Sequence, residues 1–124
     1  MDSLHILVDT NIVLYTLDGD KAAANWLRDK HTYCSFVTEI ELKSFAGIKQ
    51  TELIRIEELL KSFTIVDLFP AIKQTAIQIR RDTKLQFADA LIAATAMGLE
   101  MPLISADKSF KKVTGLKLVL YEPV

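Results

Sequence analysis

Short apolar segments alternate with segments of helical spacing along nearly the whole chain, and this alternation restricts the folds open to it. Residues 4–8, 33–37, 63–68, 102–105 and 116–121 have the length and apolar character of buried strands. Strands that alternate with helices form a mostly parallel sheet covered on both faces, because right-handed crossovers place helices on each side. The pattern predicts an α/β fold, a three-layer α/β/α sandwich around a mostly parallel central sheet.

The composition agrees with one packed domain over residues 1–124. Half of the 124 residues are hydrophobic, while only four are glycine and three are proline. The formal net charge of −1 gives no bulk attraction to nucleic acid, so such a partner has to be argued from local charge. The single Cys34 lies in an apolar stretch, and no apolar run reaches the ~20 residues of a membrane span. We expect a cytoplasmic protein with a buried thiol and no membrane association.

Capping residues and apolar spacing predict six helices between the strands. They cover residues 12–17, a segment capped by Asp20, a segment from Thr38 to near Gly47, a segment capped by Thr51, residues 71–82 after Pro70, and residues 88–97 ending at Gly98. Thr38 and Glu41 fit a Thr-x-x-Glu capping box. The last helix is apolar nearly all round, so we expect it to be central.

Four carboxylates stand where these apolar segments break off. Asp9 follows the first strand, Glu41 the second and Asp107 the fourth, while Asp89 opens the all-apolar helix. In open α/β sheets, ligands bind at the carboxyl ends of the strands, which share one edge. We therefore predict that the four side chains meet in one acidic pocket, where their mutual repulsion favours a bound cation.

Each acid also has a purely structural explanation. Asp9 can begin an Asx turn with Asn11, and Glu41 can serve the capping box. Asp89 gains from the dipole of its helix, and Asp107 can cap residues 108–112. The dipole does not explain why Asp89 lies in an apolar setting, where a charge needs a partner such as a cation or the lysine at position 84. The agreement of all four positions favours the metal pocket.

The residue types indicate which metal such a pocket would bind. Carboxylate oxygens favour Mg²⁺ or Mn²⁺, and no Cys or His pair has the spacing of a zinc site. Asn11 and Ser105 are candidate groups for orienting the carboxylates or bound water. His5 and His31 are not predicted to be neighbours or catalysts. Basic residues that could form a rim for phosphates are Lys108, Lys111, Lys112, Lys117, Arg80, Arg81 and Lys84.

Four segments together resemble the PIN-domain ribonucleases, and particularly the VapC-like toxins of type II toxin-antitoxin systems. The segments are Leu7-Val8-Asp9-Thr10-Asn11, Thr38-Glu39-Ile40-Glu41-Leu42, Ala88-Asp89-Ala90-Leu91-Ile92-Ala93-Ala94-Thr95-Ala96 and Leu103-Ile104-Ser105-Ala106-Asp107. Each is weak alone, but their order in a chain of this length is specific, and the resemblance covers essentially the whole chain.

The resemblance implies a PIN-like α/β/α fold, a Mg²⁺ or Mn²⁺ site and endonucleolytic cleavage of RNA. It also implies a cognate antitoxin that inserts a segment across the pocket, and a homodimer. Carried over by position, the acidic quartet is Asp9, Glu41, Asp89 and Asp107, supported by Asn11 and Ser105. The family usually has Thr where Ser105 stands, so the hydroxyl is kept. Glu41 is preferred to Glu39 because the family's acid directly precedes the leucine, here Leu42.

Three alternatives remain open from the residues. A housekeeping PIN nuclease in RNA processing would carry the same acids as a toxin. A receiver-like phosphoacceptor domain of similar length also gathers acids and Mg²⁺ at strand ends, and Asp67 would be its acceptor, but it would leave Asp89 unexplained. A non-catalytic PIN-like scaffold would have lost acidic positions that this chain keeps.

Overall fold

The computed structural model of the protein describes residues 4–122. In this range five strands form one sheet: β1 (His5–Val8), β2 (His31–Ser35), β3 (Thr64–Val66), β4 (Leu103–Ser105) and β5 (Leu118–Leu120). Their order is β3-β2-β1-β4-β5, and all four pairings are parallel. The predicted parallel α/β fold is confirmed, although most strands are shorter than the apolar runs that predicted them.

Six α-helices connect these strands within the described residues. They are α1 (Thr10–Leu17), α2 (Lys21–Leu27), α3 (Phe36–Ser44), α4 (Gln50–Leu60), α5 (Pro70–Asp82) and α6 (Phe87–Gly98), and a 3-10 helix covers Lys108–Lys112. Asp20 caps α2 and Pro70 opens α5, as predicted, and Asp107 caps the 3-10 helix, which was the structural alternative for that residue. Across residues 4–122 no helix is both long enough and apolar enough to cross a bilayer.

The two faces of the sheet bury different helices. Successive residues of a strand point to opposite faces, so Leu7 packs with α5 and α6, whereas Ile6 and Val8 pack with α1, α2, α3 and α4. In α6, every residue from Ala90 to Ala96 is buried, which confirms the central position predicted from its composition. Cys34 is buried as expected, and burial raises the pKa of its thiol to about 12, which leaves it unreactive.

The boundary between β2 and α3 differs from the prediction. The strand was expected over residues 33–37 and the helix from Thr38, but β2 ends at Ser35. The Ser35 hydroxyl accepts a hydrogen bond from the backbone N–H of Val37 at 3.0 Å, and this cap starts α3 at Phe36. Phe36 and Val37 extend the apolar run without extending the strand. The capping box of Thr38 with Glu41 is therefore wrong, since both residues lie inside the helix.

The start of α4 also differs from the prediction. Thr51 was expected to cap the helix, but α4 begins at Gln50 after Lys49. The backbone N–H of Lys49 donates to the Glu52 carboxylate at 3.0 Å. Glu52, the third residue of α4, thus satisfies a backbone N–H group at the N-terminus of the helix. A capping hydroxyl from Thr51 is therefore not needed.

The two histidines are neighbours, contrary to the sequence prediction. His5 and His31 are paired across β1 and β2, and their rings stack with centroids 4.7 Å apart. Tyr33 adds its hydroxyl, 3.0 Å from His5 Nδ1. This pairing depends on the register of two strands that are distant in sequence, which no local pattern reveals.

Candidate metal centre

The four predicted acids line one cavity at the carboxyl edge of the sheet. It has a volume of about 490 Å³, and Asp9, Glu41, Asp89 and Asp107 all contribute to its wall. Asp9 follows β1 and Asp107 follows β4, the neighbouring strand. Asp89 lies in the first turn of α6. The fold thus brings together side chains from four separate parts of the chain.

Asp9 is the most buried of the four, with 4% of its surface exposed. Its Oδ1 accepts a hydrogen bond from the backbone N–H of Ile12 at 3.0 Å, so it caps α1 as well as facing the cavity. Burial raises the pKa of Asp9 to about 6, and the negative charges of Asp89 and Asp107 add to this rise against its hydrogen bonds. Its negative charge is therefore held at a cost that a nearby cation would reduce.

Ser105 joins two of the acids. Its hydroxyl, at the end of β4 and fully buried, donates to Asp9 Oδ2 at 2.5 Å and accepts from the backbone N–H of Asp107 at 3.0 Å. The hydroxyl therefore fixes the rotamer of Asp9 and the chain direction at Asp107. The other predicted polar group, Asn11, lies on the cavity wall as an exposed residue of α1.

Glu41 reaches the cavity from the body of a helix. We predicted it just after a strand end, but it lies six residues beyond β2, within α3. The Thr10 hydroxyl donates to Glu41 Oε1 at 2.6 Å, and its oxygen lies 3.1 Å from Thr38 Oγ1. Thr10, on the cavity wall, is a residue that the sequence analysis missed. The sequence feature that could have identified Thr10 is its position directly after Asp9.

Glu39 lies outside this arrangement. Its carboxylate forms an ion pair with Lys43 at 2.9 Å, one turn further along α3. It lines a different depression on the surface, beside α4. The geometry therefore separates the two glutamates, since only Glu41 faces the other acids.

Asp89 and Asp107 complete the cavity wall. Burial raises the pKa of Asp89, and the charges of Asp107 and Glu41 raise it further. Lys84 does not supply the compensating charge, because within residues 4–122 it forms no ion pair with Asp89 and it lines a different cavity. Asp107 Oδ1 accepts from the backbone N–H of Ser109 at 2.8 Å, so its capping role coexists with its place in the wall.

The donor set fits a hard divalent cation in its chemistry. Oxygen ligands from carboxylates are those that Mg²⁺ and Mn²⁺ prefer, and the raised pKa values of Asp9 and Asp89 mark uncompensated negative charge. As oriented, however, no three His, Cys, Asp or Glu side chains among the described residues are grouped closely enough to hold one ion. Side chains such as Glu41, now bonded to Thr10, would have to turn toward a common centre.

Comparison with protein families gives one assignment. The PIN domain model matches residues 6–116, which is most of the chain. A sequence comparison with curated proteins gives no match.

Several solved structures share the fold. One is VapBC2 from Rickettsia felis bound to a promoter DNA fragment, with 20% identity, a TM-score of 0.86 and coverage of 95% of this chain and 99% of that chain. A toxin–antitoxin complex from Klebsiella pneumoniae has 27% identity, a TM-score of 0.83 and coverage of 96% and 99%. A DNA-bound VapBC from Salmonella typhimurium has 19% identity, a TM-score of 0.78 and coverage of 94% and 97%. In each comparison the similarity extends over nearly the full length of both chains.

Proposed function

The chain belongs to the PIN-domain family, and from this premise we propose that it is a divalent-metal-dependent endoribonuclease and the toxin of a toxin–antitoxin pair. One observation carries the proposal: Asp9, Glu41, Asp89 and Asp107 line a single cavity at the carboxyl edge of the sheet. The raised pKa values of Asp9 and Asp89 support it, because carboxylates that are buried, and that lie near other negative charges, are stabilised by a cation.

Each acid has a proposed role in RNA hydrolysis. A divalent cation such as Mg²⁺ or Mn²⁺, held by these acids, would supply the Lewis-acid chemistry for attack of water on a phosphodiester. Asp9 and Asp107 are proposed to hold the cation directly, because they follow adjacent strands and share Ser105. Glu41 and Asp89 complete the set, either as further ligands or as acceptors of the proton that the water gives up.

Polar neighbours set the positions of these carboxylates. Ser105 fixes Asp9 through its hydroxyl, and Thr10 holds Glu41 at the cavity wall. Ser105 therefore acts as a positioning residue whose hydrogen bond keeps Asp9 ready for the cation, whereas Thr10 holds Glu41 at the wall until it turns toward the ion. Asn11, on the same wall, is proposed to orient bound water or substrate.

The toxin assignment and the partners rest on the structural relatives. The Klebsiella pneumoniae structure is a toxin–antitoxin complex, and we extend that arrangement to a cognate antitoxin for this chain. Leu14 and Phe45 are 38% and 44% exposed and line the acidic cavity, so they offer apolar contacts to a segment laid across it. We also propose a homodimer and a cytoplasmic location. No observation favours a housekeeping role over this one.

The receiver-like alternative has no support in the geometry. Asp67, its proposed acceptor, is not on the wall of the acidic cavity. The sheet order β3-β2-β1-β4-β5 also differs from the 2-1-3-4-5 order of receiver domains. The match to the PIN domain model also argues against a receiver domain.

The proposal is tested by induced expression of the wild type beside Asp9→Asn, with cellular RNA mapped for new ends. We expect growth arrest and new RNA ends with the wild type only. A matched pair on α3 sharpens the test: Glu41→Gln should abolish cleavage, whereas Glu39→Gln, which removes only the ion pair with Lys43, should retain it. New ends that persist in Asp9→Asn, or that do not depend on added Mg²⁺ or Mn²⁺ with purified protein, would contradict the proposal.

A further inference from the structure

A pair of histidines lies at the amino edge of the sheet, away from the acidic cavity. His5 begins β1 and His31 begins β2, whereas the acidic cavity lies where the strands end. Asp9 is four residues beyond His5, about 13 Å along an extended chain, and neither histidine lines the acidic cavity. The pair therefore has no part in the mechanism proposed above.

The register of the two strands holds the histidine rings close together. His5 is paired with His31 across the parallel strands, and the ring centroids are 4.7 Å apart with an angle of 19° between the ring planes. His31 is exposed and His5 is half-buried, so a solute can reach the pair. Imidazole nitrogen is a ligand that suits Zn²⁺, Ni²⁺ and Cu²⁺. The strands thus present two such ligands at one accessible place.

Tyr33 supplies a second feature of a metal-binding histidine. It lies two residues beyond His31, on the same face of the sheet, and its hydroxyl is 3.0 Å from His5 Nδ1. Histidines that bind metals commonly form a hydrogen bond through the ring nitrogen that is not coordinated, and this bond fixes the tautomer and the orientation of the ring. With Nδ1–H of His5 donating to the Tyr33 oxygen, Nε2 carries the lone pair that an ion would use.

We propose that His5 and His31 together bind one transition-metal ion, Zn²⁺, Ni²⁺ or Cu²⁺, through a ring nitrogen of each. Among residues 4–122 no third His, Cys, Asp or Glu side chain completes such a group, so water molecules fill the other coordination positions. Metal–nitrogen distances of about 2.0–2.1 Å place the two nitrogens roughly 3.3 Å apart in a tetrahedral site. The exposed ring of His31 has to tilt toward His5 to reach that separation.

The chemistry of this site differs from that of the acidic cavity. Imidazole ligands suit Zn²⁺, Ni²⁺ and Cu²⁺, whereas carboxylates suit Mg²⁺ and Mn²⁺. An ion held by both histidines links β1 to β2, and the unfolded chain does not hold the two rings together because 26 positions separate them. Metal binding at the pair therefore stabilises the folded protein. This inference does not depend on the proposed function.

Stacking alone is the alternative explanation for the pair. Aromatic rings at this distance stabilise a fold by packing, without any metal. The two explanations differ in one measurable respect, because only the metal site makes the stability of the protein depend on a transition metal through the two histidines.

Cu²⁺ is the probe for the ligands. The chain has two histidines and both belong to the pair, so coordinated imidazole has no other source in the untagged protein. Cu²⁺ is titrated at pH 7.5 into the Asp89→Asn protein, in which the acidic cavity is weakened, and pulsed electron paramagnetic resonance counts the coordinated imidazoles. We expect two per ion. Bound Cu²⁺ without an imidazole signal, or with one imidazole only, would overturn the inference.

Substitutions at the pair test the affinity in the same Asp89→Asn background. His31→Gln should leave one imidazole and weaken Cu²⁺ binding by at least about ten-fold, the smallest loss typical of removing even an outer-shell partner. Lys30→Gln, the control, changes the neighbouring residue, keeps both rings and should bind like the parent. Equal weakening by His31→Gln and Lys30→Gln would contradict the proposed site.

Tyr33→Phe tests the hydrogen bond to His5. It removes the hydroxyl and keeps the ring, so both imidazoles should still coordinate Cu²⁺, with an affinity lower by about 10- to 100-fold. An unchanged affinity would overturn the role given to Tyr33 in orienting His5.

Thermal unfolding with Zn²⁺ separates the metal site from stacking. Excess Zn²⁺ should raise the melting temperature of Asp89→Asn, and should raise it much less when His31→Gln is added. If His31→Gln lowers the melting temperature equally with Zn²⁺ and with EDTA, the rings only pack against each other and the inference fails. RNA cleavage by the wild type is measured separately, so neither result bears on the proposed function.

Discussion

At the level of single residues, the main feature is a carboxylate held where its charge is costly. Asp9 is almost fully buried, and its pKa is raised from 3.8 to about 6. Ser105 and the N-terminus of α1 offset part of this cost through hydrogen bonds. The part of this free-energy cost that the hydrogen bonds do not offset is typical of functional sites, because a bound ligand can stabilise the charged carboxylate.

Asp9→Asn should stabilise the metal-free protein at neutral pH. Because the folded-state pKa is raised, the charged form opposes folding, so this cost is absent below about pH 4 and is complete above about pH 6. The rise from 3.8 to about 6 corresponds to roughly 3 kcal/mol as an upper bound. Urea unfolding in EDTA at several pH values measures the difference between variant and wild type.

That difference should vanish below about pH 4, grow between about pH 4 and pH 6, and stay constant above that range. Adding Mg²⁺ should raise the stability of the wild type but not of Asp9→Asn. A variant that is less stable than the wild type at pH 7.5 in EDTA would contradict this account of Asp9.

Ser105 provides a prediction about positioning. Ser105→Ala should lower metal affinity and cleavage by about 10- to 100-fold, because Asp9 loses the donor that fixes its rotamer. Ser105→Thr keeps the hydroxyl and should retain most activity. Mn²⁺ affinity measured beside cleavage distinguishes this role from general destabilisation, and unchanged affinity in Ser105→Ala would contradict it.

The candidate acids could be identified from the sequence, but the residues that form hydrogen bonds with them could not. Asp9, Asp89 and Asp107 lie at chain positions where an apolar segment begins or ends, and that pattern is visible locally. Thr10 was missed because its partner, Glu41, is 31 positions away. The orientation of each carboxylate depends on such contacts between distant residues, so the sequence predicts the pocket but not its present hydrogen bonds.

At the level of elements, α6 determines the position of the site. It is buried from Ala90 to Ala96 between the sheet and α5, so its first turn, which carries Asp89, has little freedom to move. A helix that is fixed by packing on several sides presents its terminal residues in a constant place.

Tight packing around α6 gives a prediction for Ala93, which is fully buried. Ala93→Leu should destabilise the protein by about 1–3 kcal/mol, because the added methylene groups have no space. Ala71→Leu, an exposed position in the first turn of α5, is the matched control and should change stability by less than about 0.5 kcal/mol. Thermal unfolding measures both, and equal effects would mean that α6 is packed less tightly than described.

Element types were easier to predict than their boundaries. The helix α6 was predicted closely because apolar residues on every side have few other structural solutions. The start of α3 was misplaced because Phe36 and Val37 continue the apolar run of β2, while the residue that ends the strand, Ser35, is small and ordinary in a strand. Local capping, rather than hydrophobicity, decided that boundary.

At the level of the whole molecule, the parallel sheet brings the acids together. Parallel strands end at one edge, and β1 lies in the middle with β4 beside it, so Asp9 and Asp107 become neighbours although 98 positions separate them in the sequence. The same regularity allowed the site to be predicted from the order of elements alone. The pairing of His5 with His31 was not predictable, because it needs the register as well as the order.

The most direct test of the central claim is Mn²⁺ binding followed by electron paramagnetic resonance, with RNA cleavage measured in the same samples. The wild type and Glu39→Gln should bind Mn²⁺ at pH 7.5, and Asp89→Asn should bind much less. Acidification should release the ion as Asp9 is protonated, at a pH below the value of about 6 that Asp9 has without metal, because the cation favours the charged carboxylate, and cleavage should fall in parallel. Equal Mn²⁺ binding by wild type and Asp89→Asn, or cleavage that continues without bound metal, would contradict the claim that these acids form a catalytic metal centre.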